Sequence, residues 1–330
     1  MKPLLTVQDL KTHFFTDNGV VRSVDGVTFA VHEGETIGIV GESGSGKSVT
    51  ALSIMNLLPY KTGSIVDGSI TFGNTDLVQI KEKEMRKIRG NDIAMIFQEP
   101  MTSLNPSYTI GNQIGEAIKL HKKVDRKEAR KRSIELLKQV GIPNAERMVD
   151  EFPHKLSGGM RQRVMIAMAL ACDPKLIIAD EPTTALDVTI QAQILELIQK
   201  LKQESNTSIL MITHDLAVVS EVCDRVIVMY AGRVIEEADV RTIFESPSHP
   251  YTKGLIDSMP SIENEVEWLN TIKGNVPIPS EMPAGCKFAP RCQYAFDRCT
   301  TEEPELEEIG SGQKTRCFIA KEVKHEVVVT

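Results

Sequence analysis

The sequence predicts an α/β fold built from more than one domain, and three observations support this prediction. Short apolar runs such as Thr36–Val40 and Leu176–Ala179 end in polar loops, as buried parallel strands do. Residues 99–170 instead carry long helical patterns with few β-branched runs. The chain has 330 residues, which is more than one hydrophobic core usually contains. We therefore expect an α/β core that is interrupted by a helical subdomain.

Composition and charge are typical of a globular protein and argue against some functions. Apolar residues make up 41% and charged residues 25% of the chain, a balance that supports a packed core. The formal net charge of −7 argues against a general nucleic-acid binder, which normally carries a basic excess. We expect no membrane span, because no apolar run reaches the ~18 residues that a bilayer requires. We also expect no signal peptide, because the N-terminus has no long apolar stretch followed by small residues. A cytosolic location is predicted, where thiols are normally reduced.

A glycine-rich loop with the sequence GESGSGKS follows the predicted strand Thr36–Val40 and precedes a predicted helix. It fits the pattern G-x-x-x-x-G-K-[ST], whose glycines let backbone N–H groups turn inward around a polyphosphate. Lys47 is predicted to reach the β- and γ-phosphates, and the Ser48 hydroxyl to coordinate Mg²⁺. The predicted nucleotide site comprises Gly41, Ser43, Gly44, Ser45, Gly46, Lys47 and Ser48.

Two carboxylates follow the predicted strand Leu176–Ala179. Asp180 is placed to hold the Mg²⁺ shell, as the aspartate after such a strand does in phosphate-loop enzymes. Glu181 is one residue further along and can face the γ-phosphate, where a carboxylate orients or deprotonates the attacking water. The pair predicts hydrolysis of the bound nucleotide, with Glu181 as a catalytic residue.

A second anion site is predicted at Ser157–Gly159, within the sequence LSGGMRQ. Ser157 is a good N-cap for the helix that follows. The paired glycines leave the first N–H groups of that helix uncovered, and such groups attract anions. One nucleotide does not need two such sites in one chain. We therefore predict that Ser157, Gly158 and Gly159 contact ATP bound by another subunit.

Together these motifs resemble those of the ATP-binding cassette (ABC) family, over residues 1–250. The family signature LSGG-Q is matched at its first four positions, whereas Met160 replaces the fifth and Gln162 follows two places later. A methionine at this fifth position resembles the side chain found there in the peptide-permease branch of the family. The resemblance implies a RecA-like P-loop NTPase core with an antiparallel β portion, ATP and Mg²⁺ as cofactors, and ATP hydrolysis.

The resemblance also implies roles for residues outside these motifs. Gln98 resembles the Q-loop glutamine, which contacts Mg²⁺ and relays to the membrane partner. Ala185–Asp187 resembles the D-loop, and His214 resembles the switch histidine, a catalytic residue that senses the γ-phosphate. Phe14 is the candidate for the aromatic residue that stacks on adenine, although Phe15 is adjacent to it.

Three domains are expected from these motifs and from changes in composition. Residues 1–98 and 171–250 form the nucleotide-binding core, and residues 99–170 form the helical subdomain that carries the signature. Residues 251–330 form a C-terminal domain that is rich in proline and too poor in apolar residues to build a core by packing alone. We therefore expect a metal centre to staple it.

Four of the six cysteines lie at the same end of the chain. Cys172 and Cys223 stand alone in apolar surroundings and are expected to be buried. The other four follow the spacing C-x5-C-x6-C-x17-C and are Cys286, Cys292, Cys299 and Cys317. In a reducing compartment four thiolates favour a metal centre over disulfides, and the wide spacing suits a [4Fe–4S] cluster. Zinc and unliganded or redox-active thiols stay open as alternatives.

The leading functional hypothesis is the ATP-hydrolysing subunit of an importer for dipeptides or oligopeptides. The sequence Ser246–Thr252, followed by the four cysteines, resembles ATPase subunits of such systems. The resemblance implies a second ATPase subunit, identical or different, two transmembrane permease subunits and, indirectly, an extracytoplasmic peptide-binding protein as partners. The chain is therefore expected to lie peripherally on the cytoplasmic face of the membrane.

Two other functions are compatible with the motifs. An importer for nickel or another small solute uses the same cassette, because the ATPase subunit does not touch the solute. A non-transport ABC ATPase acting on nucleic acid or ribosomes fits less well, since the chain has one cassette, no long insertion and a net negative charge.

Overall fold

The computed structural model describes residues 2–99, 103–184, 187–259, 271–278, 281–310 and 312–323. The chain forms two compact units. The signature unit, named after its LSGG sequence, comprises Met1–Leu4, Val31–Glu35 and Gln79–Ile212. The phosphate-loop unit comprises Leu5–Ala30, Thr36–Val78 and Thr213–Thr330. The three domains expected from the sequence stay a prediction.

The described residues form twelve strands and eleven α-helices. The strands are β1 (Pro3–Thr16), β2 (Gly19–His32), β3 (Thr36–Val40), β4 (Gly63–Phe72), β5 (Thr75–Asp76), β6 (Ile93–Ile96), β7 (Leu176–Asp180), β8 (Ser208–Ile212), β9 (Arg225–Tyr230), β10 (Arg233–Asp239), β11 (Glu307–Gly310) and β12 (Gln313–Thr315). The helices are α1 (Lys47–Ile54), α2 (Glu82–Ile88), α3 (Ile110–Lys122), α4 (Arg126–Gln139), α5 (Ala145–Met148), α6 (Gly158–Ala169), α7 (Val188–Ser205), α8 (Leu216–Val222), α9 (Val240–Glu245), α10 (Pro250–Asp257) and α11 (Asp297–Thr301).

The phosphate-loop unit contains two groups of strands. In the first, β4 pairs antiparallel with β1 and with β5, in the order β2-β1-β4-β5. In the second, β3 runs parallel to β9, and β10 is the antiparallel partner of β9. The short strands β12 and β11 follow at the edge of β10. Two strands from the C-terminal end of the chain therefore extend the sheet that carries the phosphate loop.

The signature unit is built on three parallel strands, in which β7 lies between β6 and β8. Every residue of β7 and β8 is buried, as is every residue of β3 in the other unit. Burial on both faces explains why these strands have apolar sequences without alternation. The carboxyl ends of β6 and β7 meet at one edge of the signature unit's parallel strands, so the polar residues that follow these two strands can approach each other.

Side-chain caps fix where several helices begin. The side chain of Asp125 accepts a hydrogen bond at the start of α4, that of Ser157 at the start of α6, and that of Asp187 at the start of α7. Each cap satisfies one of the backbone N–H groups that a helix leaves unpaired in its first turn. Within the described ranges, no helix is both long and apolar enough to cross a membrane.

Candidate nucleotide-binding site

The glycine-rich loop connects β3 to α1, and close backbone contacts require two of its glycines. A Cβ at Gly41 would lie 2.2 Å from the backbone oxygen of Met229, and a Cβ at Gly46 would lie 2.4 Å from that of Ser23. Both glycines have positive φ angles, of 151° and 101°. Gly44 also has a positive φ, of 79°, but a Cβ there would meet no heavy atom of the described residues within 4 Å. The loop is therefore closed at its two ends and open in the middle.

Lys47 supplies the positive charge of this loop. Its side chain is buried, and its Nζ donates to the backbone oxygens of Gly41 at 2.7 Å and of Glu42 at 3.0 Å. The ammonium group thus lies inside the loop, at the N-terminus of α1, where the helix dipole also favours a bound anion. The arrangement fits a polyphosphate, as the sequence predicts.

The remaining loop residues differ in exposure. Ser43 and Gly44 are exposed, and Ser48 is half-buried in the first turn of α1. The Oγ of Ser45 is buried and has no hydrogen-bond partner in the part of the chain that the structure describes. A buried hydroxyl without a partner costs about 1–3 kcal/mol. Together, the open middle and this unmet hydroxyl indicate a loop that is completed by a polar ligand.

His214 lies just before α8 in the same unit as the phosphate loop. The backbone N–H of Thr213 donates to the oxygen of Ile39 in β3 at 3.2 Å. Asp215 then caps α8 by accepting from the N–H of Ala217 at 2.9 Å. These two bonds fix the backbone on either side of His214, whose side chain is exposed. The histidine is therefore carried next to the strand that leads into the phosphate loop.

Glu181 follows β7 in the signature unit and has a strained backbone. Its φ is 47°, a left-handed value that is uncommon outside glycine and typical of functional sites. Its N–H donates to the oxygen of Ile212 at 2.8 Å. Its Oε2 accepts from Nε2 of Gln98 at 2.8 Å and from Oγ1 of Thr184 at 2.9 Å. The structure thus brings two predicted site residues, Gln98 and Glu181, into direct contact.

Two residues that support Glu181 are absent from the sequence predictions. Thr184 donates to its carboxylate, as described above. Gln162, on α6, is buried and donates from Nε2 to the backbone oxygen of Pro182 at 2.5 Å. In the sequence, the only signal for Gln162 is its place two residues after Met160, and Thr184 stands out only by its nearness to Glu181.

Asp180 directly precedes Glu181 in the sequence, and the predicted D-loop follows Glu181. Asp180 is the last residue of β7, is 6% exposed, and lies in register with Ile212 of β8. A buried carboxylate at the carboxyl end of a parallel strand is a common position for a ligand-binding residue. Ala185 and Leu186 lie outside the described residues. Asp187 accepts from the N–H of Ile190 at 3.0 Å and so begins α7.

The signature residues form the N-terminus of α6. The Oγ of Ser157 accepts from the N–H of Met160 at 3.3 Å, as predicted for an N-cap. Ser157 and Gly158 are exposed, and a Cβ at Gly158 would meet no described heavy atom within 4 Å. A Cβ at Gly159 would lie 2.9 Å from Cγ2 of Ile190. The first glycine therefore leaves the helix N-terminus open, whereas the second allows α7 to pack closely.

Phe14 lies near the end of β1 and is half-buried. Its Cε1 lies 3.1 Å from the position that a Cβ would occupy at Gly63. The neighbouring Phe15 is 50% exposed. Phe14 as the residue that stacks on adenine stays a prediction.

The cysteines fall into the two groups that the sequence indicates. Cys172 and Cys223 are buried, as predicted. The other four are half-buried and lie at positions 286, 292, 299 and 317. The N–H of Cys286 donates at 2.9 Å to the backbone oxygen of Cys299, which lies in α11. This bond joins two parts of the C-terminal segment, which we define as residues 281–310 and 312–323.

Burial changes the acidity of these thiols. It raises the pKa of Cys286, the pKa of Cys292 to about 11 and the pKa of Cys317 to about 12. The charge of Cys299 contributes to each of these shifts, so the four thiols are electrostatic neighbours. Among the described residues, no group of three or more His, Cys, Asp or Glu side chains is arranged to hold a metal ion. The predicted metal staple is therefore not shown.

The chain is similar to known transport proteins over almost its whole length. A family model described as "ABC transporter" matches residues 24–184, and one described as "Oligopeptide/dipeptide transporter, C-terminal region" matches residues 235–299. The oligopeptide transport ATP-binding protein AppD of Bacillus subtilis (strain 168) is 58% identical over 322 residues, with 98% of each chain covered. The dipeptide transport ATP-binding protein DppD of Escherichia coli (strain K12) is 52% identical over 314 residues, covering 95% of this chain and 96% of that protein.

Two solved structures, one of an ATP-binding cassette and one of a component of an ABC transporter complex, are also similar. The dimeric ATP-binding cassette MJ0796, in a post-hydrolysis state bound to ADP and Pi, has a TM-score of 0.65 and 30% identity. The match covers 72% of this chain and 99% of that chain. CbiO1 from Clostridium perfringens, part of the ABC transporter complex CbiONQ, has a TM-score of 0.62 and 30% identity, covering 74% and 91%. These likenesses confirm the α/β phosphate-loop fold that the sequence predicts.

Proposed function

The chain belongs to the ABC transporter ATP-binding subunits of the oligopeptide and dipeptide branch, and from this we propose that it energises peptide import. The observation that carries the peptide assignment is the 58% identity to an oligopeptide transport protein along 98% of the chain. ATP hydrolysis is the activity of this family. In this chain we assign it to the phosphate loop and to Glu181, whose carboxylate accepts hydrogen bonds from Gln98 and Thr184.

The proposed nucleotide site uses the loop from Gly41 to Ser48. Its backbone N–H groups and Lys47 bind the phosphates, and the buried position of the Lys47 ammonium inside the loop supports this role. Ser48, Asp180 and Gln98 are the proposed ligands of Mg²⁺. When bound, Mg²⁺ neutralises charge on the β- and γ-phosphates. Phe14 is the proposed contact of the adenine ring.

We assign the chemical step to Glu181 and His214. Glu181 accepts a proton from the attacking water. The oxygen of that water bonds to the γ-phosphorus as the bond between the γ-phosphorus and the ADP oxygen breaks. The hydrogen bonds from Gln98 and Thr184 orient its carboxylate for this transfer. His214 contacts the γ-phosphate and stabilises the charge that develops there.

The proposed working state is a dimer of ATP-binding subunits. In it, Ser157, Gly158 and Gly159 of one subunit complete the ATP site on the phosphate loop of the other. The exposure of Ser157 and Gly158 supports this proposal, since an intermolecular ligand needs an open helix N-terminus. Two transmembrane permease subunits and a peptide-binding protein outside the cell are the further proposed partners, with the dimer on the cytoplasmic face of the membrane.

The four C-terminal cysteines are proposed to hold a [4Fe–4S] cluster, with zinc as the alternative. Four thiols that are electrostatic neighbours form a suitable donor set, although the described arrangement does not itself form a metal site. Binding would release their protons, since burial raises the pKa of three of these thiols. The role proposed for the cluster is structural, because it would fasten a segment with little apolar packing.

Replacing Glu181 by Gln tests the catalytic assignment. Gln keeps the shape and removes the base, so phosphate release from the purified chain should fall by about 10² or more. Binding of a fluorescent ATP analogue should persist. The matched control is Glu196→Gln, an exposed carboxylate on α7, which should leave both quantities unchanged. Near-normal turnover of the Glu181 variant would remove that residue from the chemical step.

A transport assay tests the peptide assignment. Cells that make the chain with its permease and binding-protein partners should accumulate a labelled oligopeptide, and the Glu181→Gln variant should abolish this uptake. Uptake of labelled nickel should not depend on the chain. Nickel uptake that requires the chain, combined with peptide uptake that does not, would establish the small-solute alternative.

A further inference from the structure

Glu42 is the second residue of the phosphate loop, and an arginine from the C-terminal segment binds its side chain. Nη1 and Nη2 of Arg291 donate to the two carboxylate oxygens at 2.6 and 3.0 Å. The backbone N–H of Glu42 donates to the hydroxyl of Tyr251 at 2.8 Å. Backbone and side chain of this loop residue are thus held by residues that lie 209 and 249 positions away.

Arg291 is itself fixed from several sides. Its side chain is only 4% exposed, and it donates from Nε to the oxygen of Lys273 at 3.0 Å and from Nη2 to that of Ile272 at 3.3 Å. An arginine guanidinium is not deprotonated in proteins, so this side chain is always charged. A bidentate pair of this kind has a defined geometry as well as a charge.

Three aromatic rings join Arg291 to the strand beside the loop. Tyr230, Tyr251 and Phe288 pack edge to face, with ring centroids 4.8 to 5.4 Å apart. The guanidinium carbon lies 5.8 Å from the Tyr230 centroid and 5.9 Å from that of Phe288. Tyr230 is the last residue of β9, and the preceding carbonyl, of Met229, is the one that lies against Gly41. The aromatic rings thus hold Arg291, and with it the contact to Glu42, in a fixed position beside β9.

The charge of Glu42 needs this partner. Position 42 is one of the unrestricted positions in the pattern G-x-x-x-x-G-K-[ST], so phosphate binding does not demand a carboxylate there. A polyphosphate carries several negative charges, and an unpaired carboxylate in the same loop repels it. Arg291 neutralises that carboxylate and fixes the loop residue that bears it.

We propose that Arg291 is a positioning residue of the nucleotide site, through which the C-terminal segment sets the affinity of the phosphate loop for ATP. The proposal rests on the loop from Gly41 to Ser48 being the nucleotide site, as proposed above. Tyr251 assists by holding the backbone of Glu42. The chemistry of the ATP site thus includes a charge contributed by the far end of the chain.

A double-mutant cycle on the full-length chain tests this proposal, with a fluorescent ATP analogue and Mg²⁺ as the probe. Arg291→Gln leaves Glu42 as an unpaired anion and should weaken the analogue's affinity by about tenfold. Glu42→Gln removes the anion and keeps the backbone bond to Tyr251, so affinity should stay within about threefold of that of the unchanged protein. In the double variant the repulsion is absent, so affinity should return to within about threefold of the unchanged protein.

The rescue separates positioning from a merely structural role. If Arg291 only kept the C-terminal segment folded, the double variant would bind as weakly as Arg291→Gln, and that result would overturn the proposal. Unchanged affinity in Arg291→Gln would overturn it as well. Arg298→Gln is the matched control, because Arg298 is an exposed arginine of the same segment that pairs with Glu302. Its affinity should not change.

Two further variants complete the test. If Arg291→Gln is not recovered folded, Arg291→Lys carries the same cycle: it keeps the charge, loses the fork, and should weaken affinity by about threefold only while Glu42 is present. Lys47→Ala tests the underlying site and should abolish binding. Binding that survives Lys47→Ala would refute the proposed nucleotide site, whereas loss in Lys47→Ala with no effect of Arg291→Gln would refute only the role of Arg291.

Discussion

The phosphate loop and the C-terminal segment (residues 281–310 and 312–323) belong to the same unit but are held in different ways. The loop follows a strand whose every residue is buried, and backbone oxygens lie against two of its glycines. The C-terminal segment contributes few buried hydrophobic residues. Within its described ranges they are Phe288, Ala289, Ala320 and Val323.

Polar contacts hold the C-terminal segment instead. Gln313 donates to the buried carboxylate of Glu236 at 2.9 Å, and Arg233 pairs with Glu303 at 3.0 Å. A loop fixed by backbone contacts is sensitive to added volume. A segment fixed by polar contacts is sensitive to charge, to protonation and to whatever its thiols bind. Different substitutions should therefore break the two regions, and the following predictions test this difference.

The largest effect is expected from added volume in the loop. Gly46→Ala places a Cβ 2.4 Å from the oxygen of Ser23 at a φ of 101°, so binding of an ATP analogue should weaken by 100-fold or more, about 3 kcal/mol. Gly44→Ala is the matched control, because its φ is also positive but its surroundings are open. In that variant the free energy of binding the ATP analogue should weaken by about 1 kcal/mol or less. Equal losses in both variants would show that φ alone, rather than close contact, limits the loop.

The sequence predicts this region well because its determinants are local. The strand, the glycines, Lys47 and the helix start lie within a few residues of one another, and each has a residue preference with a steric or electrostatic cause. The same holds for Ser157, whose capping bond spans three positions. The contact of Gln98 with Glu181 spans 83 positions. Glu181 is predicted from its place after a strand, whereas only the resemblance to a family indicated Gln98.

The second effect concerns the buried carboxyl group of Glu236 in the polar network, whose pKa is raised by burial. Glu236 is fully buried and accepts hydrogen bonds from Ser248, His249 and Gln313. Glu236→Gln places an NH₂ group against some of these donors, so the free energy of unfolding should fall by about 2 kcal/mol in a denaturant titration. Glu245→Gln, at an exposed ion pair on α9, is the control and should change it by less than about 0.5 kcal/mol. Equal losses would mean that the network does not hold the segment.

A third effect concerns the thiols. Cys286 and Cys292 flank the turn that carries Arg291, and the N–H of Arg291 donates to the oxygen of Phe288 at 2.9 Å within it. Protein purified without air should contain about four irons and four acid-labile sulfides per chain if a [4Fe–4S] cluster is bound. Cys286→Ser should abolish both and, by loosening the turn, weaken ATP-analogue affinity about fivefold, less than Arg291→Gln does.

The control for this experiment is Cys223→Ser, since Cys223 is a buried cysteine outside the C-terminal segment. It should retain the iron and the affinity. Colourless protein with one zinc per chain would replace the cluster by zinc and keep the fastening role. Protein without any metal, with unchanged affinity in Cys286→Ser, would show that the thiols do not act on the loop.

The sequence predicts this segment less well, for a physical reason. The cysteines and prolines of the segment reveal a composition, but its position depends on pairs such as Arg291 with Glu42, which are 249 residues apart. No local preference marks either partner, because any residue satisfies the phosphate-loop pattern at position 42. The pairing of β12 with β10 is likewise a long-range contact that the short sequence Gln313–Thr315 does not announce.

The smallest effect is a pH dependence at the edge of the polar network. His249 caps α10 through its Nδ1, which accepts from the N–H of Tyr251 at 3.0 Å, and this bond requires a neutral ring. Burial, with a smaller contribution from the charge of Arg316, lowers the pKa of His249 to about 3. In the unfolded chain a histidine titrates near 6.5. Between these two values the unfolded state binds the extra proton, so stability is full above pH 6.5 and falls as the pH falls.

The variant His249→Asn isolates this contribution, because Asn keeps a capping oxygen and cannot take up the proton. Between pH 7.5 and pH 6 the unchanged protein should lose about 0.8 kcal/mol of unfolding free energy relative to the variant. Glu236, whose carboxylate accepts from the N–H of His249, is present in both proteins, so its own titration cancels in the comparison to first order. The measurement is a pair of denaturant titrations at each pH. If the unfolding free energies of the two proteins changed equally with pH, His249 would take up its proton in the folded state. That result would contradict the burial of His249 beside Glu236.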